Sequence, residues 1–312
     1  MLAALLLAAS GPSTVVPPPA DPQTAVVHTE DAERFAALFE RTGGAPTAEQ
    51  VQREYLDRGT YGVHVFMPNR IESAANLAKR VAAGRAKYAD AIRRCLPVAK
   101  RADGELRAIY LALHGLLPEK PLPQIYVVFG ADNSGGTAGP GAQVLGLETL
   151  CGLAGDEGKF RAVLAAFFAH ETVHVFQAEE PAGDPLLTSM LQEGAADFIA
   201  TLVTGRQIDP ERAAWGSSQE AELWRQLQAD LAVTRGADWS TTKRGTPAQA
   251  ALHRWVGNYG DPPAGWPVEA GYWMGQRIWA RWYDKQPDKR AAIRRMLTLE
   301  RLDEVLAGGA FR

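Results

Sequence analysis

The chain has 312 residues, 46% of them hydrophobic and 22% charged, with a net charge of −3. That balance belongs to a globular protein with a substantial core, and it leaves no electrostatic footprint for nucleic acid. Lys100-Arg101 and Arg294-Arg295 are too sparse for an anionic membrane surface and read as solvated helix faces.

The apolar run from Leu2 to Ala9, then small residues and Pro17-Pro18-Pro19, resembles the end of a secretory signal peptide followed by a linker, although no Lys or Arg precedes the run. The run is too short to span a bilayer, and no Cys follows it to carry a lipid. These features predict signal peptide and linker over 1–26, export to a periplasmic or extracellular space, no stable membrane span, and a single domain over 27–312; the competing reading of the first residues is a disordered tail on a cytoplasmic protein. Cys95 and Cys151 are the only cysteines, too few for a thiolate metal site. In an oxidising compartment they would pair; otherwise they are two buried thiols.

The first third, 27–120, reads as helical packing. Thr29 begins a capped amphipathic pattern with Phe35, Leu38 and Phe39 on one stripe and a Gly43-Gly44 stop. Thr47 and Gln50 form a capping-box signature for a helix to Leu56. Helical spacing then covers Ile71 to Arg94, and again Gly104 to Leu116. Over 121–150 the period changes. Ile125 to Phe129 and Gln143 to Leu147 read as strands of a small sheet or hairpin, joined by the glycine-rich GADNSGGTAGPGA. That connection lacks the Lys-Ser or Lys-Thr of a phosphate loop and reads as a mobile loop near a cleft.

From 151 on, helices return. Phe160 to Gln177, FRAVLAAFFAHETVHVFQ, is apolar nearly all round yet carries His170, Glu171 and His174. At about 100° per residue, His170 and His174 lie one turn apart on the face of Phe160, Val163 and Phe167. A second helix, about Leu186 to Thr204, presents Leu186, Met190, Glu193 and Asp197 on one arc. Further helices are predicted from Asp209-Pro210-Glu211, over Ala221 to Val233, Ala248 to Trp255, Ala270 to Lys285 and Asp288 to Leu297. All eight Trp fall at or after position 215, mostly as core.

Burying imidazoles and carboxylates on apolar helices costs a few kcal/mol each unless something compensates them. Histidine-Glu-x-x-His on one helix brings two imidazole nitrogens to one zinc and sets the intervening Glu beside it as a general base. A catalytic zinc takes three protein ligands, and Glu193 is the natural third: the intervening segment lets the first helix end, turn and return. Asp197, one turn further, is then placed to accept a hydrogen bond from the free nitrogen of a ligand His.

H-E-T-V-H followed by E-G-A-A-D resembles the gluzincin metallopeptidases. More broadly, FGADNSGGTA, the two motif helices and AGYWMGQRIW are similar to an uncharacterised group of bacterial zinc-dependent proteases. The resemblance implies an α+β, predominantly helical fold with a zincin-like core and a two-helix zinc site. His170, His174 and Glu193 would bind one Zn²⁺, Glu171 would act as general base, and Asp197 would be the outer partner. The expected activity is hydrolysis of peptide or protein substrates. Gluzincins place a Tyr or His from a later segment at the oxyanion; Tyr272 is the first candidate here and His253 the second. The competing reading is a non-catalytic envelope protein that keeps zinc as a structural clamp, which would have no need of Glu171.

Overall fold

The computed structural model describes residues 13–178 and 183–311. The apolar run Leu2 to Ala9 lies outside them. The described residues are mostly helical with a four-stranded sheet, an α+β composition, and no helix among them is long and apolar enough to cross a membrane. They form two compact units, one to Val175 and one from Phe176.

The first unit is built on the sheet, whose strands are β1 (Val27–His28), β2 (Gln124–Val128), β3 (Gly136–Gly139) and β4 (Ala142–Gly146), in the order β1-β2-β4-β3. β1, β2 and β4 run parallel, while β3 pairs antiparallel with β4 and forms one edge. The two predicted strands therefore do not form a hairpin with each other. The hairpin is β3–β4, and β3 arises inside the glycine-rich stretch expected to be a loop. Period and composition hide it, because GTAG has no β-branched alternation and gains its strand geometry from pairing with β4.

β2 and β4 are buried almost throughout, the mark of strands covered on both faces. Helix α1 (Glu30–Arg41) lays Phe35 against Phe129, ring centroids 4.5 Å apart. Where β2 ends, side chains meet the backbone that no strand reaches. The Tyr55 hydroxyl donates to the Phe129 carbonyl at 2.8 Å and accepts from the Phe129 N–H at 3.0 Å, and the Tyr88 hydroxyl donates to the Gly130 carbonyl at 2.8 Å. Glu148, fully buried in the first turn of α2 (Leu147–Gly152), accepts from the N–H groups of Gly130 and Asp132, each at 3.1 Å. The segment leading into β3 is thereby fixed by side chains. The long helix expected over 71–94 is broken: Ala74–Ala83 ends at Gly84, and a new helix, Arg85–Asp90, passes into a π-turn, Ala91–Cys95. Cys95 and Cys151 form a disulfide with Cα atoms 5.9 Å apart.

Helix α3 (Glu157–Phe176) carries the His-Glu-x-x-His stretch. Leu164, Phe168, Ala169, Thr172 and Val173 are buried, whereas Val163, Phe167, Glu171 and His174 are only partly so. The deepest face is thus the one opposite the histidines. Gln143, buried in β4, clamps that face: its Nε2 donates to the Phe167 carbonyl at 2.7 Å and its Oε1 accepts from Thr172 Oγ1 at 3.0 Å.

The second unit centres on α4 (Pro185–Thr204), capped by Asp184, whose carboxylate accepts from the Leu187 N–H, and closed by Gly205 at φ 67°. Around it lie α5 (Pro210–Ser217), α6 (Glu220–Arg235), α7 (Pro247–Trp255), α8 (Ala270–Asp284), α9 (Lys289–Thr298) and α10 (Leu302–Gly308). α4 and α8 cross glycine to glycine. A Cβ on Gly275 would lie 2.0 Å from the Met190 carbonyl oxygen, and one on Gly194 would lie 2.2 Å from the Gly275 carbonyl carbon. Side-chain hydrogen bonds lock the crossing: Trp279 Nε1 donates to the Leu191 carbonyl at 2.7 Å, and Gln276 Nε2 donates to Thr201 Oγ1 at 2.8 Å.

Two predictions follow from the first unit. Burial pushes the Glu148 carboxyl up from 4.5 to about 7 against its N–H donors. The folded protein then holds a proton that the unfolded chain releases, so the associated stability is complete below about pH 4.5 and is lost as pH rises toward about 7, about 3 kcal/mol in all. Urea titrations across that window should show this loss, and Glu148→Gln, which keeps an acceptor oxygen, should flatten it. The disulfide bridges a sequence separation of 56. In the chain-entropy picture, replacing both cysteines by Ser lowers unfolding free energy by about 4 kcal/mol, readable as a shift in denaturant midpoint.

Candidate metal centre

His170 and His174 sit one turn apart in α3, and their Nε2 atoms lie 3.0 Å from each other with the rings edge to face. Two nitrogens bound to one tetrahedral zinc at about 2.0–2.1 Å lie about 3.3 Å apart, so the pair needs little adjustment to share an ion. Glu193 projects from α4, and the ligand atoms of His170, His174 and Glu193 all lie within 4.8 Å of one another. This is the one group of metal-ligating side chains identified among the described residues. His170 is buried, while His174 and Glu193 are half-buried. Two imidazoles and one carboxylate are the donor set of a catalytic rather than a closed structural zinc.

Glu171 lies against the edge strand. A Cβ on Gly136 would come within 3.0 Å of the Glu171 carboxyl carbon and of its Oε1, so glycine at that position lets β3 run directly past the carboxylate. Gly136 pairs with Leu145 in β4, which fixes the strand's height relative to that side chain.

In the second unit, Asp197 lies one turn beyond Glu193 and is almost wholly buried. Its Oδ2 receives Nη2 of Arg212 at 3.2 Å, an ion pair in which both side chains are buried. Tyr272, in the first turn of α8, stands over the same guanidinium with its ring centroid 5.1 Å from Arg212 Cζ. A cavity of about 320 Å³ is lined by Glu193, Tyr272 and His253 together with Ser189, Leu252 and Val256. Both sequence candidates for the oxyanion therefore share a cavity wall with Glu193. They differ in setting. Burial, and after it the carboxylates of Glu193 and Glu269, push the Tyr272 hydroxyl well above the usual phenol range, which keeps it an O–H donor. His253 is partly exposed, with Nε2 3.7 Å from Asp261 Oδ2.

The spacing argument singles out His170, His174 and Glu193, the group whose side chains could hold a metal ion. It does not find Arg212, Gly136 or the Gly194–Gly275 crossing. Arg212 reads in sequence as an ordinary charge in a first helical turn, and Gly194 is visible within E-G-A-A-D but its partner Gly275, far along the chain, is not. Compared with models of known protein families, with curated protein sequences and with solved structures, the chain matches none.

The helix crossing sets the position of Glu193 relative to Tyr272, and it tolerates no added atom. Gly275→Ala forces backbone apart and should lower unfolding free energy by about 3 kcal/mol or more, toward or beyond the upper end of ordinary overpacking costs. Gly104→Ala, where the new Cβ meets nothing within 4 Å, should be neutral or mildly stabilising in the same urea titration.

Proposed function

We propose that this chain is a zinc-dependent hydrolase of the gluzincin type that cleaves peptide bonds in peptide or protein substrates. The observation that carries the reading is the convergence of His170, His174 and Glu193, with Glu171 next along the helix and turned against an edge strand. Zinc held by those three side chains would supply Lewis acidity, polarising a carbonyl and lowering the pKa of water toward ~7.

The chain's own groups do the rest. Glu171 takes the proton of the attacking water and passes it to the leaving amine. Tyr272 donates its hydroxyl to the developing oxyanion, a role its burial and retained proton suit. His253 is the second candidate for that role, from the same cavity wall. Asp197 orients a ligand imidazole by accepting from its other nitrogen. The outer edge of β3 offers backbone N–H and C=O groups to an extended peptide, and Gly136 lets that edge pass directly beside the Glu171 carboxylate. That edge is what favours a peptide over other hydrolysable substrates. The Cys95–Cys151 disulfide supports an oxidising compartment, in keeping with export.

Metal analysis and an unbiased peptide-library digest test the proposal together. The wild type should carry one zinc per chain and cleave peptides. Glu171→Gln should retain the zinc while kcat/KM falls by about 10²–10⁴-fold. Unchanged turnover in that variant removes Glu171 from its role. A wild type that holds zinc yet cleaves nothing is instead the structural clamp.

A further inference from the structure

Arg212 is a basic side chain buried deep in the second unit; besides Asp209 of its own helix cap, with Oδ2 3.9 Å from Nε, it meets Asp197, Tyr272 and the carbonyls just before α8. Its position follows from local sequence. Asp209 caps α5 by accepting from the Arg212 N–H at 2.8 Å, so Arg212 occupies the first turn. One turn later Gly216 lies flat on the Trp273 ring, where a Cβ would approach to 2.5 Å. Residues four apart share a helix face, so the face that Gly216 seats on α8 is also the face that sends Arg212 inward.

There the guanidinium spends its donors in two directions. Nη2 reaches Asp197 on α4 at 3.2 Å, and Nη1 donates to the Glu269 carbonyl at 3.2 Å, just before α8. Its Cζ also lies over the Tyr272 ring, 5.1 Å from the centroid. Glu269 itself is held in the left-handed region, φ 54°, with its carboxylate accepting from Gly257 and Asn258 and its N–H donating to Asn258 Oδ1. One rigid fork thus joins the carboxylate that would orient a ligand imidazole to the first turn of the helix that presents the oxyanion donor.

We propose that Arg212 is a positioning residue of the candidate site, fixing Asp197 through its ion pair and Tyr272 through its stack and its hold on the Glu269 carbonyl. The assignment rests on the zinc-hydrolase reading, and it adds that metal affinity and turnover depend on a side chain that touches neither ligand nor substrate. Planarity is essential to it. A lysine ammonium can meet Asp197, but it cannot present a flat face to Tyr272 while also holding the carbonyl.

The test uses the full chain as wild type, Arg212→Met, Arg212→Lys, Asp197→Asn and the Arg212→Met/Asp197→Asn double variant. Zinc affinity is measured by competition with a chromogenic chelator, kcat and KM on a peptide taken from the library digest, and folding by circular dichroism. Arg212→Met should weaken zinc about 10–100-fold, the range for loss of an outer-shell partner, and lower kcat with KM little changed. Arg212→Lys should recover most of the zinc affinity but not kcat. On the Asp197→Asn background Arg212→Met should weaken zinc no further, because the two changes break one link. A folded Arg212→Met protein that binds zinc within twofold of wild type overturns the assignment, as does full additivity with Asp197→Asn. Should Arg212→Met fail to fold, Arg212→Lys decides: kcat equal to wild type overturns the role toward Tyr272. A wild type that binds no zinc overturns the underlying reading, which separates that failure from failure of Arg212 alone.

Discussion

Polar side chains taken out of water must find partners, and that constraint organises both units of this chain. On α3 the buried Thr172 is met by Gln143 from β4, which at the same time takes the spare lone pair of the Phe167 carbonyl. The pairing locks the helix in rotation and height against the sheet, and so sets which side chains emerge on the opposite face. Those are His170, Glu171 and His174. In the second unit the buried Asp197 is met by Arg212, and Arg212 by the carbonyl at the start of α8. Leaving any one of these groups unpaired costs more than the bond contributes when made.

Close approach of backbone is the second determinant. Gly194 and Gly275 let α4 and α8 touch where any side chain would hold them apart, and Gly136 does the same for β3 against Glu171. In each case the residue beside the glycine contact is one that the functional reading needs: Glu193 next to Gly194, Tyr272 a turn before Gly275, and Glu171 itself. Small residues here act by subtraction. They remove the atoms that would keep a carboxylate, a phenol and a strand edge from their places, while the buried aromatic residues nearby, Trp273 and Trp279, fill the remaining volume, and Trp279 turns its indole N–H to the Leu191 carbonyl.

Much of the helical part was legible. Asp209 caps the helix that follows it by accepting from the Arg212 N–H, and the Thr47–Gln50 capping box is present with both its bonds, whereas Thr29, expected to cap α1, makes no side-chain bond to the backbone N–H groups and donates to the Glu33 carboxylate instead. Caps are local chemistry, settled within four residues, so sequence carries them. Alanine-rich spacing that persists through Gly84 predicts one helix over 71–94, yet the chain breaks there and restarts. β3 was illegible for the opposite reason: its residues carry no strand preference, and it exists because β4 supplies the hydrogen bonds.

The sequence by itself determined which residues can share a face: His170 with His174, and Glu193 with Asp197, since 3.6 residues per turn fixes those relations in any helix that forms. It also determined that such residues, set among apolar neighbours, would need partners. Only the tertiary structure decided who the partners are. That Arg212 meets Asp197, that Gly275 lies on Gly194, that Cys95 joins Cys151 and that a glycine strand passes Glu171 all depend on contacts between segments far apart in the chain. Periodicity says nothing about these, because it describes one element at a time, whereas packing is a relation between two.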